Sequence, residues 1–499
     1  MTKSTVALTT YKNFISGQWV ESRSSRRVPN VNPANTEEIL GEIVLSTREE
    51  ARLAVEAAEK ALEGWRNTPA PMRGAIVMKA AQLMAARKNE LARALTLEEG
   101  KTVSESLGEL ARGINCVEFA AAEGRRLKGE TIPSELPSNF CYTLRQPIGV
   151  VACITPWNFP ICIPAWKIAP ALVCGNTIVF KPATLTPWTA SLITGIFAEA
   201  GLPPGVLNLV LGSGGEVGEE LVNNEKVRAL SFTGSNDIGG RLYNQGAARG
   251  IKCQCEMGGK NPIVVLEDAD LPLAVESTVT GAFGSTGQRC TATSRAIVVE
   301  KIADTFVERL VDRTKKVTVG SGLESGIAMG PCVDKSQMET VLKYLEIGKG
   351  EGAQVRIGGK RLEGEKFSRG YFVEPTIFDR VRPDMRIAQE EIFGPVLSVI
   401  RVKDFEEALE VANGVKYGLS SALYTNDASR IFKFIERIES GITHINSGTP
   451  GGEAQLPFGG IKATGVGARE MGSTAIEFWS EVKTVYIDFT GAKREGNLY

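Results

Sequence analysis

Three side chains of complementary chemistry stand out in this chain of 499 residues: Cys290, Glu256 and Asn158. Cys290 follows Gly284-Ser285-Thr286-Gly287-Gln288-Arg289 and precedes Thr291-Ala292-Thr293. A free thiol of pKa ~8.5 is mostly protonated at neutral pH, and a nearby cation raises its thiolate fraction. Arg289 gives Cys290 a physical reason to be nucleophilic, although the same loop would suit a buried, inert thiol. Glu256 opens Glu256-Met257-Gly258-Gly259-Lys260-Asn261, whose paired glycines permit close backbone approach. Its carboxylate reads either as a general base or as half of an ion pair with Lys260. Asn158 lies in the proline-bracketed turn Pro156-Trp157-Asn158-Phe159-Pro160. A fixed amide there could donate to a developing oxyanion, an effect of roughly 3 kcal/mol where measured, or simply form the turn.

Glycine-bearing turns form a second group. Gly212-Ser213-Gly214-Gly215-Glu216-Val217-Gly218 has one residue too many before its last glycine to match GxGxxG. Phe232-Thr233-Gly234-Ser235, with Gly239 beyond, follows a strand pattern and opens a helical one. A helix N-terminus of that kind can hold a pyrophosphate through its free N–H groups, or be a plain strand-to-helix turn. Lys181-Pro182 is a stiff basic corner that could reach ribose hydroxyls or phosphate, or be a surface lysine.

Composition removes several alternatives. The single histidine, His444, rules out a His₂ or His₃ metal site, and its apolar flanks Ile442 and Ile445 suit a satisfied structural role. Nine scattered cysteines with no CxxC pair argue against zinc knuckles and redox dithiols and suit a reducing cytoplasm. A net charge of −1 without a Lys/Arg run argues against a nucleic-acid partner. Met1 to Phe14 has no apolar export signal. The most apolar stretch, Ile148 to Phe180, is broken by Pro156, Pro160, Pro164 and Pro170 and carries Lys167, so it reads as buried core rather than a membrane span.

The elements that must position these residues follow from periodicity. The first third reads helical: Thr47-Arg48-Glu49-Glu50 has capping-box spacing, and Ala51, Val55, Ala58, Leu62 and Trp65 share one face. Further helical stretches cover residues 73–98 and 103–126. From residue 149, β-branched runs at 149–154, 177–180, 206–211 and 230–232 alternate with helical segments near 161–173, 187–200, 215–222 and 236–248. That alternation predicts a doubly wound parallel sheet, with ligands beyond the carboxyl ends of its strands. A second α/β series runs from Pro262 to about residue 445, through 263–266, 295–299, 396–402 and 420–424, with a helix at 405–411. The run Thr484–Phe489 has no partner nearby in sequence and could pair with Asn139–Arg145 or with another subunit.

Taken together, Pro156–Pro160, Lys181-Pro182, Phe232–Ser235, Glu256–Lys260, Gly287–Cys290, Glu391-Ile392-Phe393-Gly394-Pro395 and Pro457-Phe458-Gly459-Gly460 occur in the order found in the aldehyde dehydrogenase superfamily, which the chain resembles from about residue 11 to 490. The resemblance implies oxidation of an aldehyde to a carboxylic acid with NAD+ and/or NADP+ and no metal. It implies Cys290 as nucleophile, Glu256 as base, and Asn158 with the Cys290 backbone N–H as oxyanion donors. It further implies a cofactor site of Thr155, Pro156, Trp157, Lys181, Thr184, Gly212, Gly218, Phe232, Gly234, Ser235, Ile238, Gly258, Glu391 and Phe393. Lys181 would bind adenosine ribose, Ser235 the pyrophosphate, Ile238 the adenine, and Glu391 the nicotinamide ribose.

The implied architecture is a dinucleotide-binding domain (1–126 and 147–256), a second α/β catalytic domain (257–445), a return segment (446–475) and a small β oligomerisation element (127–146 and 476–499), giving a homodimer or homotetramer. Thr184 is neutral where the family often has a glutamate that repels a 2′-phosphate, so NADP+ is expected to be accepted. Gly465-Val466-Gly467-Ala468-Arg469-Glu470 carries one residue more than the commoner G-x-G-R-E. Arg289, beside the nucleophile, could pair with a carboxylate or phosphate on the substrate or form a structural ion pair. The closest resemblance is to semialdehyde dehydrogenases of the 2-oxoglutarate semialdehyde (2,5-dioxopentanoate) kind. A non-phosphorylating glyceraldehyde-3-phosphate dehydrogenase and a CoA-acylating semialdehyde dehydrogenase are the alternatives, the latter disfavoured by the presence of Glu256.

Overall fold

The computed structural model describes residues 8–491. Part of the Met1–Phe14 stretch and the end of the 476–499 segment lie outside the described residues.

Short β-branched runs separated by amphipathic helices give two α/β sheets. In the first, five parallel strands lie in the order Lys252–Glu256, Val227–Thr233, Val150–Ile154, Thr177–Lys181 and Leu207–Leu209. Antiparallel additions extend it on both sides, Gly465–Val466 at one edge and the hairpin Asn13–Ile15/Gln18–Val20 at the other. The strand Val150–Ile154 has its chain successor on one side and a later strand on the other, which makes the crevice between it and Val227–Thr233 the topological switch point. The second sheet runs Gln354–Ile357, Thr376–Asp379, Val396–Val402, Thr293–Val299, Asn261–Val265, Ser420–Tyr424 and Ile442–Ile445, all parallel except the first.

Helices cover both faces of the first sheet: α1 (Arg48–Asn67), α2 (Ala70–Ala86), α3 (Lys88–Glu99), α4 (Val103–Glu123), α5 (Cys162–Val173), α6 (Pro187–Glu199), α7 (Glu219–Asn223) and α8 (Asn236–Ala248). Thr47 and Glu50 form the expected capping box on α1, and Ala51, Val55, Ala58 and Trp65 are buried along one face. All twelve residues of α5 are buried, which explains the apolar run from residue 148: it passes between layers of protein. No helix among the described residues is long and apolar enough to cross a membrane.

Three expectations need correction. The first third is not helical throughout, because residues 10–44 form short strands, among them Arg27–Val31 and Ile39–Val44 paired antiparallel. These strands of two to six residues are too short to show a clear alternation. The stretch 73–98 is two helices broken at Arg87, whose φ of −102° and ψ of 15° leave the helical basin. The strand Lys252–Glu256, unread in the sequence, carries Glu256 to the rim.

The C-terminal strand Ser480–Asp488 pairs antiparallel with Asn139–Pro147, with Thr484 opposite Thr143. The resulting arm exposes Phe140, Val482, Tyr486 and Phe489.

Candidate active site

The switch-point crevice holds a cavity of about 270 Å³ whose walls come from both sheets: Pro156, Trp157 and Asn158 after one strand, Thr233, Gly234 and Ser235 after its neighbour, and Gly258, Cys290, Glu391 and Phe393 from across the cleft. Trp157 and Phe393 meet edge to face at 5.4 Å. Gly258 is needed here, because a Cβ would fall 2.3 Å from a Glu391 carboxylate oxygen. Glu391 Oε1 accepts the Gly259 N–H at 2.7 Å, while burial pushes its carboxyl up to about 7.

The donors and acceptors of the crevice fit a dinucleotide. The hydroxyls of Thr155 and Thr233, at the carboxyl ends of adjacent strands, are buried without a hydrogen-bond partner. Ser235 is the N-cap of α8, yet its side chain makes no capping bond, so hydroxyl and helix N-terminus both face the crevice unspent. Ile238 stands exposed on the first turn of α8. Lys181, at a strand end, is buried with its ammonium donating to the Pro182 carbonyl at 2.8 Å, and burial lowers its pKa to about 8. Thr184 is half-buried beyond it. Phe232 is buried beneath Gly234. Gly212 and Gly218 lie in the turn after Leu207–Leu209, away from the cavity lining.

Cys290 is half-buried, whereas the other eight cysteines are buried. Its loop is strained: Ser285 and Thr286 have φ of 50° and 59°, followed by Gly287 at 66°. Non-glycine residues in this region cost of order 1–3 kcal/mol each and persist only when the surroundings hold them. Here Thr286 Oγ1 donates to the Gly330 carbonyl at 3.0 Å, and Gln288 Oε1 accepts the Val333 N–H at 3.0 Å. Asn261 Nδ2 donates to the carbonyls of Cys290 and Ala292 at 2.7 and 2.8 Å. Gly259 lies so close that a Cβ would fall 2.5 Å from the Cys290 carbonyl.

Burial pushes the Cys290 thiol up to about 12, with Glu391 and Glu256 adding to the rise and Arg112 opposing it. The cation that favours the thiolate is therefore Arg112, not the adjacent Arg289. Arg289 also departs from its expected place. Its Nε donates to Ser285 Oγ at 3.0 Å and its Nη2 lies 3.6 Å from Glu105, so its charge is already partnered and it does not line the cavity.

Asn158 is buried, and one amide N–H donates to the Gln288 carbonyl at 3.0 Å, tying the turn to the nucleophile loop and leaving the other N–H for the cavity. Glu256 is buried and accepts the Gly460 N–H at 3.3 Å. A Cβ on Gly459 would fall 2.2 Å from Glu256 Oε1, so the Phe458-Gly459-Gly460 turn makes room for this carboxyl. Burial holds its pKa well above the carboxylate range, helped by Glu470 and opposed by Arg469 and Lys167. The ion pair with Lys260 does not form: the Lys260 ammonium is buried without a hydrogen-bond partner, and burial takes it down to about 7. His444 sits on the strand Ile442–Ile445 away from the cavity, but not fully satisfied, because its Nε2 is buried without a partner.

Several residues that shape the site were not singled out in the sequence. Lys167, on all-buried α5, pairs with Glu470, which also accepts the Trp166 indole N–H at 2.8 Å. The lysine inside an apolar helix was its signal. Arg112 on α4 stacks 5.1 Å from Trp166 and 5.3 Å from Phe458, with its Nε buried and unpartnered. No carboxylate among the described residues lies within ion-pair distance of it. Phe159 and Cys290 pack against the cluster that contains Trp166 and Phe458, and Arg112 lies over those rings close enough to act electrostatically on Cys290, although like Arg289 it does not line the cavity.

A model of the aldehyde dehydrogenase family matches residues 19–485. The chain is 48% identical, over 96% of its length and 98% of the relative's, to an alpha-ketoglutaric semialdehyde dehydrogenase of Bacillus subtilis. Among solved structures it resembles betaine aldehyde dehydrogenase of Staphylococcus aureus in complex with NAD+, with a TM-score of 0.94, 34% identity, and coverage of 98% of this chain and 97% of that one. It also resembles an Escherichia coli NADP-dependent enzyme, with a TM-score of 0.92, 38% identity, and coverage of 96% and 98%.

Proposed function

The chain belongs to the aldehyde dehydrogenase family and oxidises aldehydes with NAD+ or NADP+, and on that premise we propose that its substrate is a small anionic semialdehyde, 2,5-dioxopentanoate (alpha-ketoglutaric semialdehyde) in particular. The observation that carries this reading is Arg112, a half-buried guanidinium with no carboxylate partner among the described residues, which lies over the paired rings of Trp166 and Phe458 near Cys290 and donates only to Met471 Sδ. A desolvated guanidinium presents a fork that matches a carboxylate bidentately. Arg289, already paired with Glu105, is the weaker candidate for that contact.

Cys290 gives its thiol proton to water in the crevice and adds to the aldehyde carbon as the thiolate, the form Arg112 favours; the oxyanion accepts from the free Asn158 amide N–H and the Cys290 backbone N–H. A bound dinucleotide would supply the acceptor for the hydride that the thiohemiacetal carbon must lose as Cys290 passes to its thioester. Glu391 and the partnerless hydroxyls of Thr155 and Thr233 would hold it, and Lys181 would meet its adenosine ribose. Glu256 turns from Gly460 toward the thioester and takes a proton from water, releasing the acid. Its raised pKa makes the carboxylate a stronger base than a solvated one.

The two sheets support a division into a dinucleotide-binding domain (1–126 and 147–256), a catalytic domain (257–445) and a return segment (446–475). The apolar side chains exposed on the paired arm support a homodimer or homotetramer built through residues 127–146 and 476–499. Nine free thiols support a reducing, cytoplasmic setting. The decisive test is a panel of anionic and neutral aldehydes assayed with NAD+ and NADP+, with and without CoA. A preference for neutral aldehydes, or turnover that requires CoA, would refute the reading.

A further inference from the structure

The strained nucleophile loop and the turn that carries Asn158 are both fastened to one place, the N-terminal turn of α4. Glu105 there uses its two carboxylate oxygens for different tasks. Oε2 accepts the Thr102 N–H at 2.9 Å and the Thr102 hydroxyl at 3.0 Å, completing a capping box. Oε1 faces away from the helix and accepts the Ser285 N–H at 2.5 Å, with Arg289 Nη2 at 3.6 Å. Ser285 is the first of the three left-handed residues that lead to Cys290, and its hydroxyl in turn holds Arg289 Nε at 3.0 Å. Just before the helix, the buried Lys101 donates to the Asn158 carbonyl at 2.6 Å and to Glu109 at 2.7 Å. Glu109 in turn accepts the N–H groups of Ile161 and Cys162, which begin α5.

A carboxylate serving only as a helix cap would need one oxygen. The second, spent on a strained backbone N–H 180 residues further along the chain and on the arginine beyond it, needs another account. We propose that Glu105, acting with Arg289, is a positioning residue for the aldehyde oxidation: it fixes the left-handed start of the Cys290 loop so that the thiol stays in register with the Asn158 amide. Arg289 then acts on the loop and not on the substrate. This rests on the reading of Cys290 as nucleophile and Asn158 as oxyanion donor.

Displacement of a reacting group by about 1 Å can cost roughly a hundredfold in rate. In the full-length enzyme, Glu105→Ala and Arg289→Met should each lower kcat by about ten- to a hundredfold on 2,5-dioxopentanoate and on pentanal alike. KM for both aldehydes and the Kd of NAD+ should stay at wild-type values. The double variant should be no slower than the worse single one, since the two side chains act as one unit. Ser285→Ala, which removes the hydroxyl that holds Arg289 and leaves the α4 capping box intact, should show the same kcat-only loss if Glu105→Ala fails to fold. Full kcat in a folded Glu105→Ala or Ser285→Ala enzyme would overturn the proposal, as would an Arg289→Met loss confined to KM for the anionic aldehyde. Cys290→Ala in the same assay keeps the two readings apart. Activity retained there would sink the nucleophile assignment, whereas its loss beside an unimpaired Glu105→Ala would sink the positioning role alone.

Discussion

Replacing Arg112 by leucine isolates the contact on which the substrate assignment depends. The guanidinium has no carboxylate partner among the described residues, so the variant breaks no ion pair within the protein and leaves a side chain that still packs against Trp166 and Phe458. What it removes is a charged donor for the far end of the substrate. Hydrogen bonds to charged groups contribute about 1.5–3 kcal/mol, and a half-buried arginine belongs near the middle of that range. At roughly 1.4 kcal/mol per factor of ten, about 2 kcal/mol corresponds to a loss of about thirtyfold in kcat/KM for 2,5-dioxopentanoate. A second effect reaches every substrate. Arg112 opposes the rise in the Cys290 thiol pKa, so its removal lowers the thiolate fraction. That effect is common to all aldehydes and cancels in a ratio. The assay is therefore kcat/KM for 2,5-dioxopentanoate divided by that for pentanal, in wild type and Arg112→Leu. The ratio should fall about thirtyfold, carried mainly by KM. An unchanged ratio would refute the anchor, even if both absolute rates fell.

Three further outcomes follow from the site. Asn158→Ala should lower kcat by about a hundred- to a thousandfold, measured at saturating aldehyde, since it removes an oxyanion donor and also unties the Gln288 carbonyl. Cofactor affinity in the free enzyme should be greatest between about pH 7 and 8. Glu391, raised to about 7, is neutral below that pH and loses acceptor strength, while Lys181, lowered to about 8, loses its charge above it. Fluorescence titration of NAD+ across this range checks the profile, and Glu391→Gln should flatten its acid limb. Thr184→Glu should cut kcat/KM for NADP+ far more than for NAD+, because a carboxylate there repels a 2′-phosphate. An unaltered cofactor ratio would remove Thr184 from the specificity argument.

The sequence was most legible where local chemistry and periodicity agree. The alternation after residue 149 predicts parallel strands at 149–154 and 177–180, and the structure has Val150–Ile154 and Thr177–Lys181, because fully buried strands are compact β-branched runs. Of the two partners open to the run Thr484–Phe489, the 139–145 segment and another subunit, the structure pairs it with the first, Thr484 lying opposite Thr143. The rim turns were legible because glycine and proline mark them. What stayed hidden depends on partners distant in the chain. Nothing near Arg289 announces Glu105, and nothing near Glu256 announces Gly459 or Glu470. Arg112 looks like any helical arginine until Trp166 and Phe458 close around it. The alternative reading of Glu256, a salt bridge to Lys260, fails because the two side chains enter different surroundings, one toward Gly460 and the other buried without a hydrogen-bond partner.

The arm has a consequence for how the molecule is made. Asn139–Pro147 leaves the ribosome more than 300 residues before the strand that covers it, Ser480–Asp488. At about 10 residues per second the earlier strand waits roughly half a minute with an open edge. An open edge carrying Phe140 and Tyr142 invites pairing with a neighbouring nascent chain. Arg145 and Pro147 on the same strand are poor partners for such templating, one charged and the other lacking an amide hydrogen. Truncations that remove Ser480–Asp488 should therefore reduce soluble yield without touching the crevice, because a strand made late protects an edge exposed early.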